Sequence, residues 1–290
     1  MALILLLFAA FGWGLAGIFI RLLPMYTSHE IVALRFLVAF VLLSFVFISK
    51  PIYSKLLYDL KHYSTWLLAL IILCCYYVGT AAFAIAPIGE TTLLMATAPL
   101  FVTIYFWFKD GKILSIKKVG LLLSILGVLF FFVFSISVTS YTLIHFYGNL
   151  LALAVSAMFS LYVLLYSHEK IYSPSSLNVT YAMFLLALIP SGYDIFGKIT
   201  MQKDLVILID NFAFIFLLGI LSTALPTFFI TIASKVLSPE ITTGVLLLET
   251  IFGTLIAYIV LNEIPSIIFI ISLSLILIGL ILIVYKPLKA

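Results

Sequence analysis

Charge is what this 290-residue chain lacks most. Only 9% of its residues are Asp, Glu, Lys or Arg, while 65% are hydrophobic and the mean hydropathy is +1.34. An average soluble domain carries roughly 25% charged residues. A surface this poor in ionisable groups cannot face water, so the solvent for most of the chain is a lipid bilayer. Cysteine is scarce too. Cys74 and Cys75 are adjacent within one apolar run. Neighbouring cysteines rarely close a relaxed disulfide, and no third ligand lies near them, so they read as small buried thiols. His29, His62, His145 and His168 lie in or beside expected loops and form no ligand cluster. Also missing are a phosphate-cradling glycine loop, paired intramembrane carboxylates, a filter loop and a basic stripe. These gaps argue against nucleotide hydrolysis, a metal centre, a channel and nucleic-acid binding. No cofactor and no enzymatic activity are expected. An intramembrane lipid-modifying enzyme would need His, Asp or Glu clustered at one depth, and only one such group is central.

What is present is a series of ten apolar runs. A hydrocarbon core of about 30 Å takes roughly 20 helical residues to cross, and the expected helices are Ala2–Leu23, Glu30–Ser49, Trp66–Ala86, Gly89–Phe108, Lys117–Ser135, Phe146–Ser167, Leu177–Phe196, Phe212–Lys235, Pro239–Leu261 and Pro265–Lys286. The first lacks a basic leading segment and outruns a signal-peptide core, so it reads as a retained helix. Very tight turns, Pro87-Ile88-Gly89 and Ser238-Pro239, precede the fourth and ninth helices. A shift of 151 residues lays Thr91 on Thr242, Thr92 on Thr243, Phe101 on Phe252, Thr103 on Thr254 and Ser115 on Ser266, and one further step lays Gly127 on Gly279. The expected fold class is an all-α polytopic membrane protein: ten transmembrane helices as two inverted five-helix repeats, residues 1–143 and 144–290. An odd number of crossings per repeat forces the two halves to lie upside down to one another, which places one site between two opposed gates.

Lysine and arginine set the orientation. With the N-terminus inside, Lys50, Lys55, Lys61, Lys109, Lys112, Lys117, Lys118, Lys170, Lys235, Lys286 and Lys289 fall on the inner side. Arg21, Arg35, Lys198 and Lys203 fall outside. Both termini are therefore expected in the cytoplasm, with the chain in the inner (plasma) membrane. Tyr58, Tyr63, Trp66, Trp107, Tyr141, Tyr147, Tyr172, Tyr193 and Tyr285 fall near expected helix ends and suit the headgroup zone. The segment Lys50–Thr65 mixes lysines with apolar residues and is expected along the inner membrane surface, and Gly197–Asn211 is expected as a flexible polar connection.

Glu249 is the sharpest candidate. It lies within the uncharged run Val245–Ala257, where a carboxyl group costs several kcal/mol unless it faces a partner, a polar cavity or a ligand. The alternative is a protonated acid that only ties helices together. Pro99 and Pro226 each remove a backbone donor and free the carbonyls of Met95 and Ser222, which suits a bend or a cavity lining. Polar stripes run along the eighth helix (Thr223, Thr227, Ser234), the sixth (Asn149, Ser156, Ser160, Ser167) and the third (Tyr77, Thr80), though Ser and Thr also serve as helix glue. Trp13, between Gly12 and Gly14, and Tyr162 are candidate pocket walls. Gly120, Ser124 and Gly127 form a small-residue face for close helix packing. Arg35 is expected to snorkel or to form a structural ion pair with Glu30 or Glu90 near the outer gate.

These residues resemble the drug/metabolite transporter superfamily, and within it the EamA-type exporters. The matching pieces are Trp13-Gly14, the Ala-Leu-Arg-Phe of Ala33 to Phe36, the Ala-Pro-Leu-Phe of Ala98 to Phe101, Leu248-Glu249 and Leu261-Asn262-Glu263. Thr250 stands where that family often has proline, and Lys109-Asp110-Gly111-Lys112 where it often has a glutamate. The resemblance implies two EamA-like halves around a central cavity worked by alternating access, with cargo that ranges over amino acids, sugars, nucleotides and drugs. The expected activity is secondary transport of a small organic metabolite, an amino acid or related amphiphile, by efflux or exchange. The expected site is Glu249 with Trp13, Tyr77, Thr80, Met95, Pro99, Tyr162, Thr223 and Thr227, with Arg35 and Pro226 gating. The expected partners are that solute, the bilayer, a coupling proton or counter-substrate and, for assembly, a second copy. An importer of a cationic metabolite such as S-adenosylmethionine is the alternative.

Overall fold

A bilayer leaves backbone N–H and C=O groups no partner but one another, so long apolar runs have to coil. The computed structural model describes residues 1–45, 50–111, 115–135, 142–166, 172, 174–175, 177–187, 202–233 and 245–284. Each of the ten expected runs is helical within those residues, and no strand occurs among them. The elements are α1 (Ala2–Gly14 and, after a turn at Leu15, Ala16–Arg21), α2 (Ser28–Ser44), α3 (Lys50–Asp59), α4 (Tyr63–Ile85), α5 (Ile88–Met95), α6 (Ala98–Asp110), α7 (Ser115–Ser135), α8 (Leu143–Tyr166), α9 (Leu177–Ala187), α10 (Gln202–Gly219, Ile220–Ala224 and Leu225–Ala233), α11 (Leu248–Leu261) and α12 (Ile267–Val284). The chain is an all-α polytopic membrane protein. Among the described residues seven helical spans are long and apolar enough to cross a membrane, the one over Ile88–Lys109 combining α5 and α6, and α9 and α11 are shorter apolar helices.

Local chemistry explains the boundaries. Thr27 caps α2 by accepting from Glu30 N, and the Glu30 carboxylate reaches back to Thr27 N, a reciprocal capping box. Gly111 and Asn262 end α6 and α11 in the left-handed conformation, which Gly and Asn adopt at least cost. The eighth helix starts at Gln202, ahead of the expected Phe212. Asp204 and Asp210 frame the apolar run 205–209 and break any membrane-length window there, yet a helix tolerates both. The connection expected over Gly197–Asn211 is thus helical from Gln202 onward. Its first part lies outside the described residues, as do Ser238-Pro239, Thr242, Thr243, Ser167, Ser234, His168 and the inner-side lysines Lys112, Lys170, Lys235, Lys286 and Lys289.

Three interruptions shape the interior. The fourth crossing breaks at Ala96 and Thr97, with Pro99 in the first turn of α6. The ninth turns at Leu247, just before α11. The eighth contains a π-helical turn, Ile220–Ala224, which ends two residues before Pro226. Breaks at this depth persist only where protein or a cavity satisfies the freed backbone.

Small residues then bring helices together. Gly120, Ser124 and Gly127 of α7 face Gly279 and Ile276 of α12, and Ser124 Oγ donates to Ile276 O at 3.5 Å. Gly148 of α8 lies against Ile85 and Ala86 at the end of α4. α1 packs on both α10 and α11, α8 on both α4 and α5–α6, and α5 crosses α11. Phe36, Leu68 and Phe184 join α2, α4 and α9 in one buried cluster, and Leu93, Phe131 and Phe269 join α5, α7 and α12 in another. The outward faces of α7 and α12 remain apolar, with Leu122, Leu126, Leu129, Ile270, Ile278 and Ile281 exposed, as lipid contact requires. Cys75 is buried but Cys74 is exposed, so only one of the two expected buried thiols is buried. Adjacent residues on a helix point about 100° apart, and Cys74 looks outward.

One polar knot ties α3 to the start of α9. Asp59 is fully buried. Its carboxylate accepts from Tyr172 Oη at 2.7 Å, Ser175 N at 2.9 Å and Asn178 Nδ2 at 2.7 Å. The bond to Asp59 pushes the Tyr172 phenol up to about 12. Removing the acceptor strands three donors, and bonds to a charged group contribute about 1.5–3 kcal/mol each. Asp59→Ala is therefore expected to lower stability by about 3 kcal/mol, read as a fall in unfolding midpoint in detergent, while Asp59→Asn recovers part of the loss.

Candidate functional site

The interrupted helices converge on two adjoining cavities. The first, of about 280 Å³, is lined by Arg35 from α2, Cys75, Tyr76, Gly79 and Thr80 from α4, Tyr162 from α8, Met183 from α9 and Thr227 from α10. The second, of about 630 Å³, runs past Pro99, Phe106 and Lys117 to Ile283. Trp13, Met95, Val155, Phe159 and Glu249 border both. Apolar walls with few convergent polar groups are the usual make-up of a small-molecule site.

Glu249 stands in the first turn of α11, just after the turn at Leu247. A half-helix N-terminus favours negative charge there. Gly14 permits the approach of α1: a Cβ at that position would press on Glu249 O and Gly253 N. Among the described residues no hydrogen bond or ion pair satisfies the Glu249 carboxyl group, so it presents itself to the cavities.

Arg35 is the residue the sequence placed wrongly. The expected ion pair with Glu30 or Glu90 is not what the structure holds. Glu30 caps its own helix, and Glu90 accepts from Asn149 Nδ2 at 2.7 Å. Arg35 instead turns inward and is only 3% exposed. Its Nε donates to Thr223 Oγ1 at 2.9 Å and an Nη to Ser222 O at 3.0 Å. Pro226 explains the second bond: it has no N–H to offer Ser222 O, so that carbonyl is available to Arg35. Thr223 is itself anchored, donating to Leu218 O across the π turn. The guanidinium lies 4.9 Å from the Tyr76 ring centroid, and Tyr76 shares a hydrogen bond with Thr227.

The remaining candidates divide. Trp13, Thr80, Met95, Tyr162 and Thr227 line the first cavity, and Pro99 the second. Thr223 is buried behind Arg35 and positions it. Tyr77 points away, its ring 4.9 Å from that of His29. Tyr76 takes the place expected for it, because the lining positions of α4 are 72, 75, 76, 79, 80 and 83, a helical face that excludes 77. Pro226 packs against Gly12, where a Cβ would also meet Leu221 O. The α8 stripe is glue: Ser156 bonds Thr97 Oγ1 at 2.9 Å, and Ser160 donates to Ala98 O at 2.9 Å, so both secure the break between α5 and α6.

A third cavity, also about 280 Å³, lies at the end of the bundle that carries Arg21, Glu90, His145 and Glu263. Arg21 donates to Phe83 O at 2.7 Å and Ala86 O at 2.6 Å and stands 3.8 Å from Glu263. Glu263 Oε2 in turn accepts from Ile88 N at 2.8 Å. Those contacts bind α1, the α4–α5 turn and the α11–α12 connection at one level.

The sequence model of the EamA-like transporter family matches residues 1–133 and 146–285. No curated protein sequence matches the chain. One solved crystal structure superposes with a TM-score of 0.61 at 16% identity, covering 97% of this chain and 95% of that one. At that identity the likeness shows the fold alone.

Proposed function

The chain belongs to the EamA-like transporter family, a family of membrane transporters, and we propose that it is a secondary carrier of a small organic metabolite. The cargo is an amino acid or a related amphiphile, moved by efflux or exchange through alternating access. The observation that carries the reading is Glu249: an intramembrane carboxyl group without a protein partner among the described residues, at the junction of two cavities. Such a group binds a cationic part of a solute or relays a coupling proton.

In this reading residues 1–143 and 144–290 are inverted repeats. The contact pattern supports it: α1 on α10 and α11 has its counterpart in α8 on α4 and α5–α6, each partner shifted by one repeat. The aligned breaks support it as well, since Ala96 and Leu247 are 151 residues apart, the spacing of the sequence repeat. The excess of lysine in the inner-side segments of the sequence supports a cytoplasmic location for that side and for both termini, in an inner-membrane protein. An importer of a cationic metabolite such as S-adenosylmethionine is the second reading, favoured by the aromatic rings of Trp13, Tyr76 and Tyr162 around the same carboxyl group.

Counterflow in liposomes tests the carrier. Purified protein preloaded with unlabelled amino acids is expected to accumulate an external labelled one transiently. Uptake only of amines or other cations would favour the second reading, and protein-independent flux for every solute tried would remove the carrier reading.

The Arg21 knot is then the closed outer gate. Arg21→Gln in a Thr254→Cys background with Cys74 and Cys75 replaced by Ala is expected to raise the labelling rate of Cys at 254 by an external thiol reagent several-fold. An unchanged rate would show that these contacts do not hold that end shut.

A further inference from the structure

The central cavity carries a second charge that the carrier reading does not use. We propose that Arg35 is the anion-binding pole of the site, and that the cargo is a zwitterion with an apolar side chain, its carboxylate on Arg35 and its ammonium group on Glu249. This deepens the carrier reading and rests on it.

A guanidinium sealed inside a membrane protein without a counter-ion is costly. Arg35 is 3% exposed, lines the cavity, and among the described residues comes within 4.0 Å of no carboxylate; the one ion pair there is Arg21 with Glu263. It owns five N–H donors. Thr223 Oγ1 and Ser222 O engage one each, and the cavity side is left to the rest. Its orientation is fixed beforehand by those two acceptors and by the Tyr76 ring, and a pre-set fork is the geometry that recognises a carboxylate.

Two further polar atoms point the same way. Thr80 Oγ1 and Trp13 Nε1 are buried and, among the described residues, have no hydrogen-bond partner. Thr80 is only 2% exposed, and both residues line the cavity. A buried donor without an acceptor costs about as much as a lost hydrogen bond, and a ligand seated there relieves it. Opposite charge is supplied by Glu249 in the lining of the same cavity. The rest of the lining includes Ile72, Phe83, Met95, Val179 and Met183, which suits an aliphatic or aromatic side chain branching from the carbon that bears both charges and disfavours a polar one.

The test uses purified full-length protein and two sets of three matched probes: L-leucine, isopentylamine and 4-methylpentanoate, and L-phenylalanine, phenethylamine and 3-phenylpropionate. The amino acids are expected to raise the unfolding midpoint at concentrations at least tenfold below those needed by the amine or the acid of the same set. In Arg35→Gln the advantage of amino acid over amine is expected to shrink below threefold while the response to amine persists; Arg35→Lys keeps most of the advantage. An Arg35 that served only to join α2 to α10 would weaken amine and amino acid in proportion, and that result overturns the assignment. The wild-type comparison decides the matter even if the Gln variant does not fold. Amines that bind as well as amino acids, or six probes without effect, overturn the zwitterion proposal. In either case the carrier reading is judged separately, by counterflow with other solutes.

Discussion

Replacing Glu249 with Gln is expected to cut transport by at least about a hundredfold while leaving the protein as stable as before, or more so. The two halves of that expectation come from the same fact. Losing one member of a buried charge interaction costs about 2–5 kcal/mol, and every 1.4 kcal/mol is a factor of ten. If Glu249 holds the cargo's ammonium group, or carries the proton that drives exchange, an amide at the same place and of the same shape does neither. Stability moves the other way because, among the described residues, the carboxyl group has no protein partner to lose. Neutralising it removes a desolvation cost of the folded state, so the unfolding midpoint without ligand holds or rises. Counterflow and thermal unfolding on one preparation read both quantities. Transport within threefold of wild type would take Glu249 out of the mechanism. A steep loss of folded protein would make it the helix-tying acid of the alternative reading.

Gly279→Val is expected to have the largest effect on folding. A Cβ at Gly279 would fall on the Gly120 carbonyl and on Ser124. Backbone cannot yield as a side chain does, and α7 and α12 must separate to admit the new atoms. Overpacking costs typically 1–3 kcal/mol and more where the obstruction is rigid, so a loss on the order of 3 kcal/mol is expected, with most of the protein lost before purification. Gly127→Ala is the control. A Cβ there meets Ile276 Cγ1 first, which rotation about χ1 can move, while the fixed atoms Leu275 Cβ and Ile276 N stand at 3.0 and 3.1 Å, farther than those at Gly279, and the expected cost is about 1 kcal/mol. Equal, mild losses for the two variants would show that the α7–α12 contact adapts more freely than its close approach implies.

The helices were legible because lipid enforces length and composition together, and the small-residue face at Gly120, Ser124 and Gly127 was legible because only close packing explains it. The start of the eighth helix was not, because Asp204 and Asp210 look like a loop to any measure that counts charge and ignores helix propensity. In the site, Glu249 and Pro226 stood out as residues that apolar helices ordinarily exclude. Arg35 stood out for the same reason, but its direction did not: an arginine eight residues into a helix can snorkel or turn inward, and the choice was made by Ser222 O and Thr223 Oγ1, some 187 residues away in sequence. Tyr76 against Tyr77 was a matter of phase. Polar spacing alone gives a face, and the neighbours decide which side of it turns inward.

The interruptions at Ala96–Thr97 and at Leu247 lie within two residues of Met95 and Glu249, two of the residues that border both cavities. A side chain next to an elbow is carried along when the elbow flexes. In the proposed carrier, whatever grips the solute therefore also sets the swing, and descendants of this chain are expected to have little room to acquire new cargo by altering those two positions. Novel preferences are expected to arise instead on the straight stretches of α4 and α9, where Ile72, Val179 and Met183 can be exchanged without disturbing the joints.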